Sequence, residues 1–161
     1  MRPFVSSLSV GVILCSLAAL AMAAAPHLVG RPTTTDNGST LTIAGSVMDL
    51  SAKDTKIQVV ATGIATVSCT NPGGNEAAGQ NKTDQTVKVT ANGEQTVLVS
   101  ELVNGTAAFS FTTRELAWGS AKEAGCPNEQ WTAETRDVTF KNALIRVSQD
   151  GHTVIKKTIR L

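Results

Sequence analysis

From Ile57 to Cys69 every second residue is small or apolar: Ile57, Val59, Ala61, Gly63, Ala65, Val67 and Cys69. Gln58, Thr62, Thr66 and Ser68 stand between them. A period of two belongs to a β-strand with one buried face, because successive side chains of a strand point to opposite sides. The run predicts one long strand with Cys69 at its end, on the inward face.

The same period recurs along the chain. Leu41, Ile43 and Val47 mark the strand before the long run. Val87, Val89 and Ala91 mark the one after it, and Asn92-Gly93 then reads as a type I′ hairpin turn. Val97 and Val99 mark the returning strand, and Asn104-Gly105 the next turn. Phe109 and Phe111 face inward on the strand that follows. Trp131 and Ala133 begin another, with the Trp131 ring expected in the core. Its phase changes near Arg136-Asp137, which predicts a bulge or a strand switch before Val138 and Phe140. Ala143, Ile145 and Val147 form a separate strand, Asp150-Gly151 turns the chain, and Ile155, Ile159 and Leu161 close it. The stretch from Arg114 to Gly125 has room for one turn of helix. Short strands with regular turn signals predict an all-β fold: an immunoglobulin-like antiparallel β-sandwich of about seven to eight strands.

The first residues bear on compartment. Arg2 is followed by an apolar run from Val5 to Leu20 and then by Ala21-Met22-Ala23-Ala24-Ala25. This reads as a secretory signal cut between Ala23 and Ala25, its apolar core too short for a spanning helix. The expected organisation is a signal peptide over residues 1–25 and one domain over 26–161, secreted and not held in a membrane. Cys15 leaves with the signal. Cys69 and Cys126 remain, and an even count in an oxidising compartment implies one disulfide. Closing a loop of about sixty residues stabilises a domain by about 4 kcal/mol in the chain-entropy model. Trp131 follows both cysteines, so the Cys–Trp–Cys order of antibody domains is absent. The bridge is therefore expected to tie two loops at one end of the sandwich.

Composition and spacing narrow the chemistry. Charged residues make up 17% of the chain and the net charge is +1, which argues against nucleic acid as a partner. Aromatics are 4%, with no Tyr, a poor endowment for stacking on sugars. His27 and His152 are the only histidines, and neither stands in a recognisable nucleophile–base arrangement. Glu115, Glu123, Glu129 and Glu134 are the carboxylates a small hydrolase would draw on, but their spacing selects no pair. Asp49 and Asp54 flank a turn without the pattern of a calcium loop, and zinc spacing is missing. No catalytic residue, metal or cofactor is assigned.

The long irregular segments, Thr70 to Asp84 and Thr113 to Gln130, each adjoin or contain a disulfide cysteine, so both are expected at one pole. Asn71-Pro72-Gly73-Gly74-Asn75 is a tight turn that either reverses the chain or cradles an anion on its N–H groups. Asn71, Gly73, Gly74, Asn75 and Trp118 are the candidate binding residues, with Trp118 either exposed or folded back over the core. Asn37, Asn81 and Asn104 stand in N-x-Ser/Thr sequons and accept glycan if the source is eukaryotic. Near the end, Arg146, Lys156, Lys157 and Arg160 form a basic patch or an edge strand guarded by charge.

Pro26-His27-Leu28-Val29-Gly30 directly after the signal, Cys69-Thr70-Asn71-Pro72-Gly73-Gly74-Asn75, and Cys126-Pro127-Asn128 before Trp131-Thr132-Ala133 together carry a resemblance. The chain resembles a group of small secreted proteins of actinobacteria and filamentous fungi with a P-H-F-V-G-like start and a C-x-N-P-G-G-N turn. Leu28 stands where Phe is usual. The resemblance covers most of the mature chain and brings no catalytic residues. The short, weakly charged start of the signal favours a fungal source, for which the resemblance implies an effector or an extracellular interaction protein. The expected function is binding of an extracellular protein or surface component through the disulfide-stapled loops. A structural cell-surface protein without a discrete ligand and a carboxylate-dependent hydrolase are the alternatives.

Overall fold

The computed structural model describes residues 24–74 and 85–161. The stretch up to Ala23 that reads as a signal, and Asn75 and Asn81, lie outside the described residues.

Among the described residues eight strands follow one another: β1 (His27–Leu28), β2 (Thr33–Asp36), β3 (Leu41–Met48), β4 (Thr55–Thr70), β5 (Gln85–Val97), β6 (Ala107–Thr112), β7 (Thr132–Gln149) and β8 (His152–Arg160). They form two antiparallel four-stranded sheets. In the first, β3 pairs with β6 along one side and with both β1 and β2 along the other. The second runs β5-β4-β7-β8. The sandwich is shut by the Cys69–Cys126 disulfide. Among the described residues no helix is long and apolar enough to cross a membrane.

The alternation of β4 is the spine of the core. Every odd position from Thr55 to Cys69 is buried, and β7 supplies Val138, Phe140, Ala143, Ile145 and Val147 beside it. Leu41, Ile43 and Val47 of β3 come from the opposite sheet. At the far end of β4 a buried amide closes the layer: Gln149 Nε2 donates to Thr55 Oγ1 at 2.9 Å and to the Ser51 carbonyl at 3.0 Å. Its Oε1 accepts from Ser51 Oγ at 2.7 Å.

The sheets differ in length. β3 has 8 residues and β4 has 16. Just after β6, the Arg114 N–H donates to Asn92 O, and Asn92 pairs with Val60 halfway along β4. Beyond that level, among the described residues, no strand of the first sheet continues from β6. The irregular segment 114–131 takes its place, burying Ala121, Ala124 and Cys126 and packing Leu116, Trp118 and Trp131 on the same core. The disulfide thus joins a strand end to this covering segment, and the expected tie between two loops is corrected to that extent.

Several local expectations are corrected. Asn92-Gly93 makes no hairpin, for β5 runs straight through it, with Gly93 opposite Val59. Neither residue has the positive φ that a type I′ turn requires. Glycine is needed there for another reason: a Cβ on Gly93 would lie 3.0 Å from the Phe111 ring. Val99, expected on a strand, falls in a 3₁₀ turn, Val99–Glu101. The two strands read from Trp131 to Val147 are one, β7. The expected bulge is present: Thr66 pairs with Asp137 and Val67 with Thr135, leaving Arg136 over. A second bulge leaves Lys141 over opposite Gly63, where a Cβ would come within 2.6 Å of the Thr139 carbonyl. Trp131 is half-buried at the sheet's end instead of fully enclosed, and Leu161 is exposed. The turn of helix expected by Gly125 is present as an irregular turn: Ala124 N–H donates to Ser120 O, Gly125 N–H to Lys122 O and Cys126 N–H to Ala121 O.

Candidate functional site

At the stapled pole the turn after Cys69 uses its own donors. Gly73 N–H donates to Asn71 Oδ1 at 3.0 Å and Gly74 N–H to Asn71 O at 2.9 Å, with Gly74 at φ 78°. Pro72 has no N–H to give. The turn therefore reverses the chain, and its amides are committed to Asn71 instead of an anion. Pro72, Gly73 and Gly74 are exposed. Trp118 folds back, half-buried, and its Nε1 donates to Thr135 Oγ1 of β7 at 3.0 Å. The structure so brings Asn71, Gly73 and Gly74 into one turn and sets Trp118 against β7 as part of the cover.

The remaining sequence candidates are scattered. Asn37 and Asn104 are exposed; Asn37 Nδ2 donates to Thr42 Oγ1 at 2.9 Å, and Asn104 sits at φ 50° in the Val103–Thr106 turn. Glu123 accepts from Gly119 N–H at 3.0 Å, a local turn contact. Asp54 accepts from Val99 N–H at 2.8 Å. His152 is exposed at the start of β8. Among the described residues no three His, Cys, Asp or Glu side chains gather to hold a metal. On the outer face of the second sheet, Glu94 pairs with Lys56 at 2.9 Å and accepts from Gln58 Nε2 at 3.1 Å. The Lys56 hydrogen bond, helped by Gln58, holds its carboxyl below the usual carboxylate range.

A concavity with an apolar lining lies elsewhere. β8 is the outer strand of the second sheet, and the segment carrying β1 and β2 is the outer part of the first. Between them the sandwich is open, leaving a groove of about 610 Å³. Leu28 and Pro32 line one side; Val154, Ile155 and Ile159 line the other. Register fixes how β8 faces it. Ile155, Lys157 and Ile159 pair with Val147, Ile145 and Ala143, whose side chains are in the core, so they share the inner face. Lys156 and Arg160 pair with Arg146 and Asn142 and stand on the outer face. The opposite wall brings the Arg31 guanidinium and the His27 imidazole. Arg31 reaches across the opening to donate to the Arg160 carbonyl, and His27 Nδ1 lies 3.1 Å from Asp49 Oδ2.

The basic residues of β8 were visible in sequence, but their opposite wall was not. β1 is two residues long, too short to show a period, and its partner in the groove is more than a hundred positions away (Arg31 to Arg160 is a separation of 129).

No family model and no curated protein matches the chain. Among solved structures, a crystal structure of Bacteroides uniformis β-glucuronidase aligns with 83% of this chain at 14% identity and a TM-score of 0.24. The chain spans 12% of that protein's length.

Proposed function

We propose that this protein is an extracellular binding module whose contact surface is the open seam between β8 and the β1–β2 segment. The observation that carries this reading is the groove itself: about 610 Å³, walled by aliphatic side chains and rimmed by His27, Arg31 and Lys157. Binding sites commonly combine such an apolar lining with a few convergent polar groups in about 300–1,000 Å³. Secretion is supported by the apolar start of the chain and by the disulfide. The effector role follows from the resemblance to small secreted fungal proteins, and glycan at Asn37 or Asn104 belongs to the same reading. The exposed Pro72–Gly74 turn favours a second reading, contact through the stapled pole.

A photo-crosslinking residue placed at Val154 in the seam, or at Glu129 on the pole, separates the two. In the secreted protein incubated with the extracellular fluid it meets, the seam position should give a defined covalent adduct that Lys157→Glu abolishes. An adduct from Glu129 alone, or one at Val154 indifferent to Lys157→Glu, overturns the seam as contact surface.

A further inference from the structure

The free edge of β8 has a readable hydrogen-bonding pattern. Leu161 N–H donates inward to Lys141 O of β7. Both main-chain groups of a strand residue point the same way, and neighbours alternate. The N–H and C=O groups of Arg160, Thr158 and Lys156 therefore point outward, away from β7. Among the described residues, β8 pairs with β7 alone, and on its outward side the Arg31 guanidinium meets the Arg160 carbonyl. A row of unpaired main-chain groups is a template for another strand. Below this row lies the inner face of β8, where Ile155 and Ile159 flank Lys157; above it stand Lys156 and Arg160.

We propose that the seam takes an extended segment of a partner protein as an added strand on β8, with acidic residues alternating with apolar ones. This rests on the reading of the seam as the contact surface. Main-chain bonds to Thr158 and Lys156 hold the segment in register. Its apolar side chains enter the groove against Ile155, Ile159 and Leu28. Its acidic side chains face outward beside Lys156 and Arg160, where directly opposed opposite charges stabilise a strand pair. Among the described residues that line the groove none is acidic and Arg31, Lys156, Lys157 and Arg160 are basic, so the charge of the site is positive. A uniformly charged or uniformly apolar segment satisfies only one of the two faces.

The test uses a synthetic peptide alternating Glu with Val, its Lys-for-Glu counterpart, and the Glu peptide N-methylated at alternate residues. The Glu peptide should bind the mature protein, more weakly as salt rises, and the other two should bind at least about tenfold more weakly. Thr158→Pro removes an outward N–H without touching the β7 ladder, so the variant should fold and lose peptide affinity. The double charge reversal Lys156→Glu with Arg160→Glu should exchange the preference in favour of the Lys peptide. Equal binding of the N-methylated peptide overturns strand addition whether or not Thr158→Pro folds. Failure of the Glu peptide to bind overturns the acidic-strand proposal, while a Lys157-dependent crosslink at Val154 would still uphold the seam. A protein that is dimeric alone, and monomeric as Thr158→Pro, assigns the edge to a second copy and overturns the proposal too.

Discussion

Cys69 and Cys126, with α-carbons 5.7 Å apart, join the last inward position of β4 to a segment that has no regular structure of its own. Half of the long sheet is covered by a strand layer and the other half by this segment. The bond holds the irregular half in place.

Removing the bridge should therefore act locally as well as globally. Cys69→Ser with Cys126→Ser should lower unfolding free energy by about 2–5 kcal/mol. Denaturant titration measures the loss. Limited proteolysis should show new cleavage within 114–131, ahead of any cleavage in β3 or β6.

Trp118 anchors the same cover through its ring and its Nε1. Trp118→Phe keeps most of the apolar area and gives up the bond to Thr135, for a cost of about 1 kcal/mol. Trp118→Ala also empties part of the layer, for about 2 kcal/mol given that the ring is half-buried. Equal melting temperatures for the two variants would show that the hydrogen bond, and not packing, is what matters.

Two glycines should differ in tolerance. An added methyl at Gly63 meets the Thr139 carbonyl at 2.6 Å, where backbone must move. At Gly93 it meets the Phe111 ring at 3.0 Å and the Thr113 α-carbon at 3.1 Å, a looser approach. Gly63→Ala should cost about 2–3 kcal/mol and Gly93→Ala about 1 kcal/mol. Thermal unfolding of both variants checks the order.

Glu94 should titrate below the usual carboxylate range, because Lys56 and Gln58 hydrogen-bond its charged form. A folded value below the unfolded one stabilises the fold above the unfolded value, and that contribution is lost as pH falls through the folded one. Lys56→Met should move the NMR-monitored midpoint of Glu94 upward and flatten this part of the acid dependence.

The strands were legible in sequence wherever one face is buried and the other wet. The inward Cys69 and the bulge at Arg136 both followed from the phase of alternation. Asn92-Gly93 misled because the dipeptide has two uses. Its glycine makes way for the Phe111 ring, a contact between residues far apart in sequence. The long fused β7 was hidden by its own bulges, which break the period at Arg136 and Lys141. The seam was beyond reach for a similar reason, since its walls come from the two ends of the domain and one of them has almost no period to read. Trp118 was ambiguous until Thr135 appeared beside its Nε1.

The patchwork cover over β4 also governs how the protein behaves as a solute. Ala65, Val67 and Cys69 form a strip that water does not reach while the segment stays fastened. Reduction would release that fastening and bare a regular, adhesive ribbon of small apolar groups, the kind of surface on which chains gather. The protein should therefore be more prone to cluster in a reducing fluid than in an oxidising one.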